Sequence, residues 1–343
     1  AIFTGQIVAA LMAGNAVIAK PAEQTSLTGY YLIQLMHKAG IPAEVLSLTI
    51  GDGLVGAALV EHVDTAGVAF TGSTQVAQSI NRALANKDGA ISKLIAETGG
   101  QNAFIVDSSA LTEQVIDDVA ESAFGSAGQR CSACRILYIQ DEVADKTIRM
   151  LQGAMQELYV GNPLDIITDI GPLIDEEALM NIQHHKTSLA GFGRKIAEAP
   201  IDKSLSKIGH FCPPIAYEID GLEFLSEEVF GPVLHIIKFK SDDIDHVIDD
   251  INANGYGLTF GIHSRIESFI KKVTSRIECG NIYVNRGTIG AVVGVQPFGG
   301  CGLSGIGPKA GGPLYLHAFA TEKVISTDTT AAGGNASLVM ISE

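Results

Sequence analysis

The chain is poor in basic side chains: 23 Lys plus Arg stand against 38 Asp plus Glu, a formal net charge of -15 over 343 residues. No lysine/arginine cluster is present to follow a phosphate backbone, so nucleic acid is not an expected partner of this segment. Cysteine is sparse, odd in number and irregularly spaced, with five residues at 131, 134, 212, 279 and 301. That pattern excludes a secreted disulfide framework and suits a reducing cytoplasm. No apolar run reaches the ~18 residues of a spanning helix, and nothing resembles a signal peptide. The first residues, AIFTGQIVAALMAGNAVIAKP, have neither Met nor a helix cap and enter in the middle of a hydrophobic helical pattern. The natural start is therefore expected upstream.

What the chain does have is 46% apolar residues and 38 glycines, a composition that fits a globular enzyme with two packed domains. Residues 15–20 (NAVIAK) read as a short buried strand closed by Pro21. A helix over 25–39, capped by Thr25 or Ser26, is expected next, and it ends at Gly40-Ile41-Pro42. VLSLTI (45–50), the turn Gly51–Gly53, the helix LVGAALVEH, the strand GVAFTG, a helix from Gly72 to about Ala85 and the strand SKLIAET (92–98) follow. Continuous apolar strands alternating with amphipathic helices imply an α/β fold with a parallel, doubly wound sheet of dinucleotide-binding type. A second α/β run starts near Asn102, with a helix at 112–126. The weakly periodic stretch 184–212 reads as a surface flap, and the glycine-dense segment from Gly287 as backbone passing close to something. The only low-complexity tract is the polar end, 326–337.

FGSAGQRCSACR, Phe124–Arg135, holds two thiols three residues apart. A zinc site lacks its other ligands, because His184-His185 is a lone doublet without ligand spacing. A redox pair would open a helix after a strand, whereas this pair follows a helix and a glycine turn, so that reading is weak but open. A single nucleophile needs exposure on a turn, backbone N–H groups for an oxyanion and a separate carboxylate to activate water. Glu97 in AETGGQN ends an apolar strand, where an acidic side chain points into the ligand crevice of such a sheet.

ETGGQN, GQRCSA, KPAEQT, FTGST, EEVFGP, NIYVN and PFGGCGLSG together resemble the NAD(P)-dependent aldehyde dehydrogenase superfamily over almost the whole chain. Within it, GTIGAVVGVQPFGGCGLSGIGPKAGGPLYL and the ending TTAAGGNASL resemble the L-glutamate γ-semialdehyde (pyrroline-5-carboxylate) dehydrogenase domains of bifunctional proline-utilising enzymes.

The resemblance implies a Rossmann-type NAD-binding part over 1–99, a catalytic thiol domain over 100–297, and a substrate-anchor end and C-terminal return over 298–343. It makes Cys131 the nucleophile and Glu97 the general base. It assigns Lys20 and Glu23 to the adenosine ribose, Gly72 and Ser73 to the pyrophosphate, and Glu228 to the nicotinamide ribose. Phe230 would pack beside the nicotinamide, although alone it reads as a core aromatic. Ser132, Gly290 and Ala291 would hold the α-carboxylate of the substrate, with Phe298 on its aliphatic part. Glu23 accepts hydrogen bonds from a 2′-OH and repels a 2′-phosphate, which favours NAD over NADP. The family's second oxyanion donor, an asparagine, would lie just before Ala1. No metal is expected. FAD would belong to a proline dehydrogenase module upstream in the same polypeptide, and a homo-oligomer is expected. A different aldehyde, a non-catalytic nucleotide-binding scaffold and a thiol hydrolase using Cys131 with a histidine stay open as alternatives.

Overall fold

The structure, a computed structural model, describes residues 2–328. Its front part runs α1 (Ile2–Met12), β1 (Val17–Ala19), α2 (Ser26–Lys38), β2 (Leu46–Leu48), α3 (Gly53–Glu61), β3 (Gly67–Thr71), α4 (Thr74–Ala85) and β4 (Lys93–Glu97). β1 pairs with β2 and β3 with β4, both in parallel. Parallel neighbours need a crossover, and α2 and α4 supply the two. The sheet expected here as one piece is two separate ladders among the described residues. Ile7, Ala19, Ile33 and Leu46 bury the first ladder against its helices.

The second part continues with β5 (Ala103–Val106), α5 (Thr112–Phe124), β6 (Ile136–Gln140), α6 (Asp141–Glu157), α7 (Glu176–Leu189), β7 (Arg194–Glu198), β8 (Ile215–Glu218) and β9 (Val233–Phe239). Then come α8 (Ile244–Ala253), β10 (Tyr256–Gly257), β11 (Thr259–His263), α9 (Glu267–Thr274) and β12 (Asn281–Val284). Seven of these strands form one sheet in the order β12-β11-β5-β6-β9-β8-β7, parallel throughout except for the β7–β8 pair. Strands covered on both faces are apolar at consecutive positions. Accordingly Ala103–Val106 and Ile136–Ile139 are all buried. α5 lays Val115, Ile116, Val119 and Ala123 on this core, and α8 lays Val247, Ile248 and Ile251 on it. Each large aliphatic side chain buried in this way contributes roughly 1.5–3 kcal/mol.

The chain then returns to the front. β13 (Cys301–Gly302) pairs antiparallel with β10, and β14 (Gly305–Ile306) pairs antiparallel with β4. α10 (Tyr315–Ala318) buries Tyr315 with Ala9 and Ile95, and Asn15 Nδ2 donates to the Phe319 carbonyl at 2.8 Å.

Two further sequence expectations change, and one lies outside the described residues. Residues 184–212 are not a flap: they finish α7, form the edge strand β7 and bury Cys212 at 4% exposure. Their periodicity is weak because the register of β7 shifts between Lys195 and Ala197 and its outer residues are polar. Neither Thr25 nor Ser26 caps α2 with its side chain. A short 3-10 turn precedes the helix, and the two hydroxyls donate back to Ala22 and Glu23 carbonyls at 3.1 and 2.9 Å. The polar tract reaches past the last described residue, and TTAAGGNASL lies wholly outside the described residues.

Candidate active site

α5 delivers the chain to a turn in which Ser126, Ala127 and Gly128 all have positive φ, at 56°, 54° and 65°. The left-handed region costs a non-glycine residue roughly 1–3 kcal/mol, so this turn stores strain immediately before the thiol. At Gly128 a side chain is ruled out twice, by φ and because a Cβ would run into the Gly231 carbonyl. Asn102 holds the far side of the turn: its Nδ2 donates to the carbonyls of Cys131 and Ala133 at 2.7 and 2.9 Å. The Ser132 carbonyl accepts from Thr288 at 2.8 Å and from Thr259 at 3.3 Å. Asn102, Thr259 and Thr288 thus fix the position of Cys131.

Burial first, then the Glu228 and Glu97 carboxylates, push the Cys131 thiol up to about 11, against a pull downward from Arg135 and the Ser132 N–H. At neutral pH the resting group is a thiol that needs a base. Cys134 is wholly buried, its Sγ points at the Ile136 carbonyl at 3.5 Å, and burial pushes its thiol up to about 12. It is a core side chain, and the two cysteines are one nucleophile candidate and one packing residue.

Glu97 is the last residue of β4. Burial raises its carboxyl to about 7, with smaller pulls downward from the Gly300 N–H and from Lys309. Its Oε2 is buried without a hydrogen-bond partner. An unpaired carboxylate oxygen tuned near neutrality suits proton abstraction. The glycine-dense segment passes directly over it, since a Cβ at Gly299 would come 2.7 Å from Glu97 Oε1. Lys309 Nζ donates to the Gly299 carbonyl at 2.5 Å and tethers that loop. Removing this cation with Lys309→Met is expected to move the acidic limb of the pH–rate profile upward by about half a pH unit to one unit. A kcat–pH profile checks this.

The cofactor candidates lie at the C-terminal ends of β1 and β3, where open α/β sheets bind ligands. Lys20 Nζ donates to the Gly51 carbonyl at 2.7 Å and lies 3.7 Å from the half-exposed Glu23. Ser73 caps α4, whose first turn contains no acidic side chain. The Gly72 N–H is not available to a phosphate, because it donates to the Glu97 carbonyl at 3.1 Å and joins β3 to β4. Glu228 is drawn inward into an ion pair with Arg135 at 2.9 Å and stays largely buried. Phe230 is 44% exposed, with the Arg135 guanidinium 5.2 Å from its ring centroid, so it is not a core aromatic.

On the substrate side, Ser132 is buried beside the thiol, while Gly290 is exposed and Ala291 partly so. The N–H groups of Gly290 and Ala291 donate to no carbonyl or side chain among the described residues. Phe298 is partly buried and exchanges two backbone hydrogen bonds with Ala310, at 3.0 and 2.7 Å. Sequence reasoning missed Asn102, Arg135, Thr288 and Lys309. Asn102 sits inside the quoted GGQN and Lys309 inside GPKAGGP, but their contacts reach across 29 and 10 residues and carry no local signal.

A thiol on a strained turn, near a buried carboxyl tuned close to neutrality, defines a thiol-dependent site on an α/β scaffold. The chain belongs to the aldehyde dehydrogenase family, whose model matches residues 1–325. It is 53% identical over 331 residues to the bifunctional protein PutA of Klebsiella aerogenes, covering 94% of this chain and 25% of that protein. A crystal structure of bifunctional proline utilization A superposes with TM-score 0.93 at 54% identity, over 97% of this chain and 34% of that one. A Thermus 1-pyrroline-5-carboxylate dehydrogenase with bound NAD superposes with TM-score 0.87 at 34% identity, over 93% and 62%. The chain therefore spans about a quarter of the length of the curated PutA relative it matches.

Proposed function

We propose that this chain is the part of a bifunctional proline-oxidising protein that converts L-glutamate γ-semialdehyde to L-glutamate with NAD. The names of its relatives support the substrate and the NAD-bound Thermus enzyme supports the cofactor. The observation that carries the chemistry is the pairing of Cys131 with a buried carboxyl, Glu97, whose Oε2 has no partner.

The residues fit a dinucleotide. Glu23 is half-exposed and free to accept from a ribose 2′-OH, and the N-terminus of α4 offers Ser73 and first-turn N–H groups to a pyrophosphate. NAD, when bound, supplies the hydride acceptor. Cys131 Sγ bonds to the aldehyde carbon as its proton passes to solvent water, giving a thiohemiacetal oxyanion beside the Cys131 backbone N–H. Loss of hydride leaves a thioester on Cys131. Glu97 then takes a proton from water, whose oxygen bonds to the acyl carbon, and the C–S bond breaks as Glu97 returns that proton to the Cys131 sulfur, releasing glutamate and regenerating the thiol.

The α-carboxylate of the substrate is assigned to Ser132 and the Gly290 and Ala291 N–H groups. Ser132→Ala is expected to raise KM for the semialdehyde about tenfold while leaving a short monofunctional aldehyde within about twofold, since one hydrogen bond to a charged group is lost. Steady-state kinetics on the two substrates test the assignment, and an equal change for both would reject it. The proposal also places a flavin-dependent proline dehydrogenase module upstream in the same polypeptide, and a homo-oligomer in the reducing cytoplasm, where five free thiols are stable.

A further inference from the structure

We propose that Arg135 is a positioning residue that locks the strained thiol turn to the Glu228 loop and so sets the thiol and the nicotinamide side of the site together. The inference rests on the proposed function for its kinetic consequence, but not for its structural one.

Arg135 begins the connection into β6 and is 2% exposed. A guanidinium has five N–H donors in a rigid fork, and here every one is used. Nη1 donates to the carbonyls of Gly128 at 2.6 Å and Gly231 at 3.1 Å. Nη2 donates to the Arg130 carbonyl at 3.0 Å and to Glu228 Oε1 at 2.9 Å, and Nε reaches the same oxygen at 3.3 Å. Two acceptors belong to the turn that carries Cys131. The other two lie about a hundred residues further along, in EEVFGP. Phe230, between them, lies under the guanidinium.

The arrangement explains two features that are costly in isolation. The first is the run of positive φ at Ser126, Ala127 and Gly128, which persists only where surrounding contacts over-determine it. The Gly128 carbonyl within that run is clamped to the fork. The second is the largely buried carboxylate of Glu228, which needs a charge partner and finds one in Arg135. Backbone contacts anchor the residue itself. The Arg135 N–H donates to the Asn102 carbonyl at 2.9 Å, and its own carbonyl accepts from the His235 N–H at 2.9 Å, so the fork is held by the central strands β5, β6 and β9. Asn102, which pins Cys131 from the opposite side, is thereby joined to the same unit.

The test is Arg135→Lys in the full-length protein that carries this chain, with hydrogen exchange and kinetics read together. Lysine keeps the charge and cannot reach four acceptors at once. Amide exchange in 125–134 and 226–232 is expected to quicken at least tenfold while β5 and β6 keep their protection, kcat to fall about 100-fold, and KM for NAD to rise. A residue that only stabilises the fold would loosen all segments alike and leave the balance of kcat and KM unmoved. Unchanged exchange in both loops, or kinetic constants within twofold of the parent, would overturn the proposal. If the parent protein does not oxidise the semialdehyde, the proposed function fails and the exchange comparison alone decides on Arg135. If Arg135→Lys does not fold, Arg135→Ala with added guanidinium ion carries the test: recovery of loop protection supports the clamp, and none rejects it.

Discussion

Cys131→Ala is expected to lower kcat for semialdehyde oxidation by about 10⁴-fold or more, because the covalent route then has no nucleophile. Nothing nearby can substitute. Cys134 is fully buried with its thiol pushed up to about 12, and Cys301, though exposed, stands on β13 with its Sγ directed at the Gly257 and Glu278 carbonyls. The effect should fall on kcat rather than on cofactor affinity, since Lys20, Glu23 and Ser73 lie at the ends of other elements. Titration of NAD by fluorescence alongside NADH formation separates the two. Retained turnover in the variant would exclude the thiol mechanism, and lost NAD binding would mean that the thiol turn also shapes the cofactor side.

Glu97→Gln is expected to lower steady-state turnover by about 10²–10⁴-fold, the range of a general base, and to trap the thioester. The parent's activity should rise with pH through about 7 as the carboxyl ionises, and the variant should lack that limb. A rapid-mixing experiment should give one equivalent of NADH and then a slow phase. If the first phase slows as much as the second, Glu97 is also the base for the thiol, which lies up to about 11 and does not ionise unaided near neutrality.

The same substitution has a consequence for stability whose sign follows from the raised pKa. The folded carboxyl holds its proton to about 7, while an unfolded one releases it near 4.5. Between these values the native state binds more protons, so its stability falls as pH rises and stays lower above 7. At pH 8 Glu97→Gln should therefore be more stable than the parent, by at most about 3 to 4 kcal/mol given 1.36 kcal/mol per unit. Melting at pH 4.5 and pH 8 checks this, because the advantage should appear only at the higher value.

The α/β alternation was legible because buried strands such as β5 are continuously apolar and helices such as α5 and α8 have one apolar face; β4 and α5 fall within two residues of the sequence reading. Cys131 and Glu97 were legible for a local reason: a thiol after a glycine turn and a charge at the end of an apolar strand are unusual enough to notice. Arg135 was not, because its meaning lies in Glu228 and Gly231, 93 and 96 residues away. The free N–H expected at Gly72 was lost to a bond across the sheet, which no local motif encodes. At β7 a register shift hid a true strand inside an aperiodic stretch.

The most direct test is mass spectrometry of the Glu97→Gln protein, in its full-length form, mixed with NAD and L-glutamate γ-semialdehyde and quenched after the first turnover. The account predicts a glutamyl thioester on the peptide containing Cys131, formed in step with NADH and absent from Cys131→Ala. NADH formation without that adduct, or the adduct on another cysteine, would contradict it.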